Sequence, residues 1–122
     1  MKKILVVDDE KAQLDLAEVT LKELGFDVIT ASNGKDCLNI AEREKPDLIL
    51  LDVVMPELDG GRTADLLLDI PETKDIPIIF LTSIVTEEEE VESRGKIGGR
   101  TFVAKPFDRE RLLAAINKAL KG

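Results

Sequence analysis

The chain of 122 residues has no histidine, no tryptophan and no tyrosine, and only one cysteine. Four phenylalanines, 3% of the chain, are its whole aromatic complement. The core must therefore be built mostly from Ile, Leu, Val and Ala. A single Cys37 excludes an internal disulfide. No apolar run approaches the ~18 residues a membrane-spanning helix needs. The opening MKKILVV starts like a secretory signal, but its apolar stretch is short and meets acids at once. Positive charge is also scarce, with 17 basic residues against 25 acidic and a net charge of −8. A chain so charged lacks the basic face that nucleic acid or an anionic membrane surface requires. What is present, 43% apolar residues over a chain of this length, suits one globular domain over 1–122 with a single core. The expectation is a soluble, cytoplasmic protein.

Apolar runs alternate with amphipathic stretches from end to end. Ile4–Val7, Phe26–Ile29, Leu48–Leu51, Ile78–Leu81 and Phe102–Ala104 read as strands. The unbroken apolar character of the first, third and fourth implies burial on both faces, as in a parallel sheet. Leu14, Ala17, Leu21 and Leu24 keep helical spacing, and Gly25 ends that helix. Further helices are predicted over 35–44, 61–70 and 109–120, the last capped by Asp108. The fourth, in TEEEEVESRGKIGG, opens on a capping-box pair, Thr86 and Glu89. Gly95, Gly98 and Gly99 then limit it to about 86–94, followed by a mobile connection. Glu87–Glu90 reads as a solvated helix start. The resulting class is α/β: a doubly wound, five-stranded parallel sheet flanked by five helices, with sites at the carboxyl ends of its strands.

That rule brings the strand ends together. The first strand ends in Asp8, Asp9 and Glu10; the third in Asp52; the fourth in Thr82 and Ser83; the fifth in Lys105. Each alone has an ordinary role as a cap, a loop residue or a solvated lysine. Together they complement one another. Crowded carboxylates repel, and a divalent cation relieves the repulsion. An all-oxygen set favours magnesium, which keeps water and phosphate oxygens among its ligands, with manganese as the acceptable substitute. A carboxylate can also act as a nucleophile and form an acyl phosphate. The charge of the arriving phosphoryl group would then be met by metal on one side and Lys105 on the other, while Thr82 donates a hydrogen bond and small Ser83 leaves room.

The four stretches ILVVDDE, LILLDVVMPELDG, IIFLTS and VAKPF, in this order, resemble the receiver domain of bacterial two-component response regulators. The resemblance spans essentially the whole chain, with 30 residues from Asp52 to Thr82 and 23 from Thr82 to Lys105. It implies a flavodoxin-like strand order 2-1-3-4-5. It implies Asp52 as phosphoacceptor, and Asp8 and Asp9 as magnesium-binding acids, Asp9 directly and Asp8 more often through water. The backbone carbonyl of Val54 would be the third protein ligand. Thr82 and Phe102 would be the switch pair, Lys105 the phosphate-facing lysine, and Pro106 would follow a cis peptide bond. Met55, Pro56 and Gly60 would shape the loop after the acceptor. The implied partners are a histidine kinase or phosphotransfer protein upstream. Downstream stands a target protein, or an output domain outside this chain, reached through the face of the fourth helix, fifth strand and fifth helix. A homodimer formed on phosphorylation stays open, as does the choice between a stand-alone receiver and part of a longer regulator.

The chain departs from the family's usual Gly-Ala-Asp before the switch aromatic, reading GGRTF with Arg100. Val54 and Ile84, two residues past Asp52 and Thr82, are apolar where they would flank an attacking water, which predicts slow loss of the phosphoryl group. Simple packing of both is the alternative. Cys37 reads as a core hydrophobe rather than a redox sensor. Phe107 reads as packing beside Pro106. Two rival functions differ in class. An aspartyl phosphohydrolase would carry a second acid where Val54 stands, and no histidine is available to replace it. A pure binding module would usually have lost an acid, the threonine or the lysine.

Overall fold

The computed structural model describes residues 2–97 and 99–121. Its elements follow in the order β1 (Lys3–Val7), α1 (Lys11–Glu23), β2 (Asp27–Ala31), α2 (Gly34–Glu44), β3 (Leu48–Leu51), α3 (Gly60–Asp69), β4 (Ile78–Thr82), α4 (Glu87–Ser93), β5 (Lys96–Ile97), β6 (Arg100–Ala104) and α5 (Arg109–Lys121). The sheet runs β2-β1-β3-β4-β6-β5, parallel from β2 to β6. The five predicted strands are thus β1 to β4 and β6, in the expected order.

Alternation along the strands divides the core in two. Ile4, Val6, Leu48, Leu50, Ile79, Leu81 and Val103 face one side, where Ala17 and Leu21 of α1 and Leu112 and Ile116 of α5 cover them. Leu5, Val7, Ile49, Leu51 and Phe80 face the other, under Cys37 and Ala41 of α2 and Ala64 and Leu67 of α3. Strands buried on both faces cannot alternate polar and apolar residues, which accounts for the continuous runs in the sequence. Helix ends obey local chemistry. Asn33 caps α2 by accepting the Asp36 N–H at 2.7 Å, and Asp108 accepts the N–H groups of Glu110 and Arg111 at 2.8 and 3.2 Å. Gly25, at φ +96, turns the chain out of α1.

One segment differs from expectation. In place of a mobile connection after the fourth helix, Lys96 and Ile97 pair antiparallel with Thr101 and Arg100 and add a sixth strand. Gly95 and Gly99 adopt φ of +78 and +80 there; Gly98 lies outside the described residues. The pairing has a physical reason: the outer edge of β6 would otherwise expose backbone donors. Phe102 N–H instead donates to the Gly95 carbonyl at 2.7 Å. Helix α4 has the predicted capping box, Thr86 with Glu89. Among the described residues, no helix is long and apolar enough to cross a membrane.

Candidate functional site

Strand register assembles the site. Val7 of β1 lies opposite Leu51 of β3, so the next residues, Asp8 and Asp52, emerge side by side. Thr82 of β4 lies opposite Ala104 of β6, which brings Lys105 to the same edge, its N–H donating to the Thr82 carbonyl at 3.0 Å. The strand order reverses between β1 and β3, the place where open α/β sheets form crevices.

Three of the side chains are held by one device. The Asp8 carboxylate accepts the Glu10 N–H at 2.9 Å, Asp52 accepts the Val54 N–H at 3.3 Å, and the Thr82 hydroxyl accepts the Ile84 N–H at 3.4 Å. Each side chain bonds the backbone two residues on, a local turn open to Asp and Thr. Gly60 then presses the loop after β3 against Asp52. A Cβ at Gly60 would lie 2.0 Å from the Asp52 carbonyl oxygen, so only glycine lets α3 begin there. The Gly60 N–H donates to the Val53 carbonyl at 2.9 Å.

Carboxylate oxygens of Asp8, Asp9 and Asp52, one from each, lie within 4.8 Å of one another. Asp8 and Asp52 are buried and Asp9 is exposed. Buried carboxylates require compensation. Lys105 supplies it: its ammonium, on a side chain 10% exposed, pairs with Asp8 Oδ2 and stands 3.4 Å from Asp52 Oδ2. One exposed and two buried carboxylates, all offering oxygen, fit a hard cation such as magnesium and suit softer metals poorly.

The remaining predicted residues fall around this centre. Thr82 is fully buried and Ser83 is exposed. Phe102 is half-buried and stacks on Phe80, centroids 5.2 Å apart. Arg100, the departure noted in the sequence, lies 5.5 Å from the Phe80 ring centroid and pairs with Asp65 of α3. Lys105–Pro106 is a cis peptide. Phe107 packs against the α1 and α5 side of the core. Burial pushes the Cys37 thiol up to about 12, which leaves it unreactive at neutral pH. Val54 and Ile84 do not pack: they are 59% and 55% exposed.

The sequence reading missed one residue. Glu90, taken as part of a solvated acidic start, is buried and accepts the Ala104 N–H at 2.9 Å.

Residues 4–117 match the family model described as the response regulator receiver domain. The chain is 38% identical to protein PilH of Pseudomonas aeruginosa over 122 residues, all of both chains. It is 40% identical to the alkaline phosphatase synthesis transcriptional regulatory protein PhoP of Bacillus subtilis, covering 98% of this chain and 49% of that one. It thus spans about half the length of such transcriptional regulators. Chemotaxis protein CheY4 of Vibrio cholerae superposes with a TM-score of 0.82 at 30% identity, over 98% of each chain. The receiver domain of a Pseudomonas aeruginosa sensor histidine kinase, solved with magnesium coordinated in its active-site cleft, superposes at 0.84 with 27% identity, over 99% of this chain and 98% of that one. The chain belongs to the response regulator receiver family of two-component signalling.

Proposed function

We propose that residues 1–122 form one receiver domain that accepts a phosphoryl group on Asp52, from a histidine kinase, a phosphotransfer protein or a small phosphodonor. The supporting observation is the meeting of Asp8, Asp9 and Asp52 within 4.8 Å, with the Lys105 ammonium against two of them. A carboxylate oxygen of Asp52 attacks phosphorus, and the donor's leaving group departs with the electron pair of its bond. Asp8, Asp9, Asp52 and the Val54 carbonyl would hold magnesium, which neutralises phosphoryl charge when bound. Lys105 stands ready to pair with the anion. The bond the Thr82 hydroxyl accepts from the Ile84 N–H is long, 3.4 Å, so the hydroxyl can leave it at little cost and donate its O–H to a phosphoryl oxygen. Movement of Thr82, with Phe102 turning inward, shifts a pre-existing equilibrium in the face formed by α4, β6 and α5 and signals to a downstream partner. The chain catalyses only its own modification.

The test is intact mass after incubation with acetyl phosphate, with and without magnesium. Wild type is expected to gain one phosphoryl group only with magnesium, and Asp52→Asn none. Gain in Asp52→Asn, or turnover of a generic phosphate ester, would contradict the proposal. No gain from acetyl phosphate or from any of a panel of histidine kinases would favour a binding module.

The exposed apolar side chains of Val54 and Ile84 offer no hydrogen bond to orient an attacking water. The acyl phosphate is therefore expected to persist for minutes or longer in magnesium buffer. Replacing both by asparagine should shorten its lifetime about tenfold, less than the ~10²–10⁴-fold a positioned general base contributes, because an amide only orients the water. Loss within seconds from wild type would refute this.

A further inference from the structure

The run Glu87–Glu90 contains four identical side chains with different fates. Glu87 reaches Arg111 of α5 at 2.8 Å, Glu88 is exposed, and Glu89 closes the capping box on the Thr86 N–H at 3.1 Å. Glu90 alone is buried, at 6% exposure. A carboxylate is buried at considerable cost unless it is hydrogen-bonded and neutralised, and Glu90 is both. Its Oε1 accepts the Ala104 N–H at 2.9 Å and faces Arg111 Nη1 at 3.8 Å.

The position of that bond matters more than its strength. Among the described residues, β5 pairs with β6 only at Arg100 and Thr101. Further along the same edge, the N–H groups of Phe102 and Ala104 have no partner strand. The Gly95 carbonyl takes the first and the Glu90 carboxylate takes the second. On its other edge the end of β6 is held by Thr82, whose carbonyl accepts the Lys105 N–H. The strand end that presents Lys105 is therefore clamped from both sides, by β4 and by a side chain of α4.

We propose that Glu90 is a positioning residue: its carboxylate stands in for a missing strand and fixes the backbone of Ala104, and so the place from which the Lys105 ammonium reaches Asp8 and Asp52. The inference rests on the receiver reading and adds to it a backbone route between the reacting carboxylates and α4. A shift of Lys105 toward a phosphoryl group pulls Ala104, and Ala104 carries its N–H away from Glu90. In return, a partner that displaces α4 loosens Lys105.

The experiment compares phosphoryl uptake from acetyl phosphate, titrating donor and magnesium in turn to saturation, in wild type, Glu90→Ala, Glu90→Gln and Glu87→Gln, each checked for a cooperative melt. Small misplacements of a charged group slow group transfer steeply. Glu90→Ala is expected to lower the limiting rate about tenfold, with the half-saturating concentrations of donor and magnesium unchanged. Glu90→Gln keeps an oxygen for the Ala104 N–H and should stay within about twofold of wild type, as should Glu87→Gln. A role in stability alone would leave the rate of folded Glu90→Ala untouched. In 15N-labelled wild type the Ala104 amide resonance should move on phosphorylation, a measurement that holds even if Glu90→Ala fails to fold. An unchanged rate in folded Glu90→Ala, or an unmoved Ala104 amide, overturns the positioning role by itself. No uptake by wild type overturns the receiver reading, and this inference with it.

Discussion

Lys105→Met is expected to destabilise the metal-free protein by about 3–5 kcal/mol, the cost of removing one partner from a buried ion pair. For a chain of this size that lowers Tm on the order of 10–20 °C. Methionine keeps most of the lysine stem's volume, so the loss reports charge rather than packing. The magnitude follows from burial. The three side chains are 10%, 4% and 9% exposed, which leaves water little access to take the ammonium's place between Asp8 and Asp52. Magnesium should restore much of the loss, because a cation that binds only the folded state adds stability with its concentration. The variant should therefore show a larger magnesium-induced rise in Tm than wild type, while taking up phosphoryl groups more slowly. Asp8→Asn in the Lys105→Met background should recover a large part of the metal-free stability. A metal-free melt of Lys105→Met within about 1 kcal/mol of wild type would mean that solvent, not Lys105, compensates the carboxylates.

Gly60→Ala tests the other tight constraint, and its sign decides the matter. Gly60 is the first residue of α3, and helix propensity alone predicts that alanine there would stabilise by up to about 1 kcal/mol. The structure predicts the reverse. The new Cβ would sit 2.0 Å from the Asp52 carbonyl oxygen and 2.8 Å from the Val53 Cα, both backbone atoms without rotamers to escape into. Overpacking of this kind costs about 1–3 kcal/mol, occasionally more. Relief requires either α3 or the end of β3 to move, and moving β3 carries Asp52 away from Asp8 and Lys105. Urea melts should show a loss of at least about 1 kcal/mol, and phosphoryl uptake should fall at least tenfold. A gain in stability with unchanged uptake would show that the loop has room the contact denies.

The parts of the fold legible in the sequence are those where one physical rule acts alone. Ile4–Val7 and Leu48–Leu51 read as strands buried on both faces, and both are. Gly25 and Asp108 mark helix ends by local backbone chemistry. Asp8, Asp52, Thr82 and Lys105 were legible as a group because a parallel sheet gathers its strand ends at one edge. The illegible parts are those where tertiary context distinguishes identical residues. Nothing within EEEE separates Glu90 from its neighbours; its burial depends on where β6 leaves a donor open. Lys96 and Ile97 lack a strand's length, and pair only because β6 has a free edge. Val54 and Ile84 are apolar by type, and sequence alone could not decide between packing and exposure.

The site draws on residues separated by as much as 97 positions, from Asp8 to Lys105. The arrangement cannot come from one contiguous stretch of chain, since the ends of β1, β3, β4 and β6 each bring a residue to it. Such long-range pairings form late, after loop closure has been offset by many other contacts. A ribosome-bound chain that has emerged only as far as residue 102 would carry Asp8, Asp9 and Asp52, yet lack the Lys105 ammonium that opposes them. On the receiver reading proposed above, rapid phosphoryl uptake would therefore wait until β6 has docked beside β4 and delivered Lys105 to the two carboxylates.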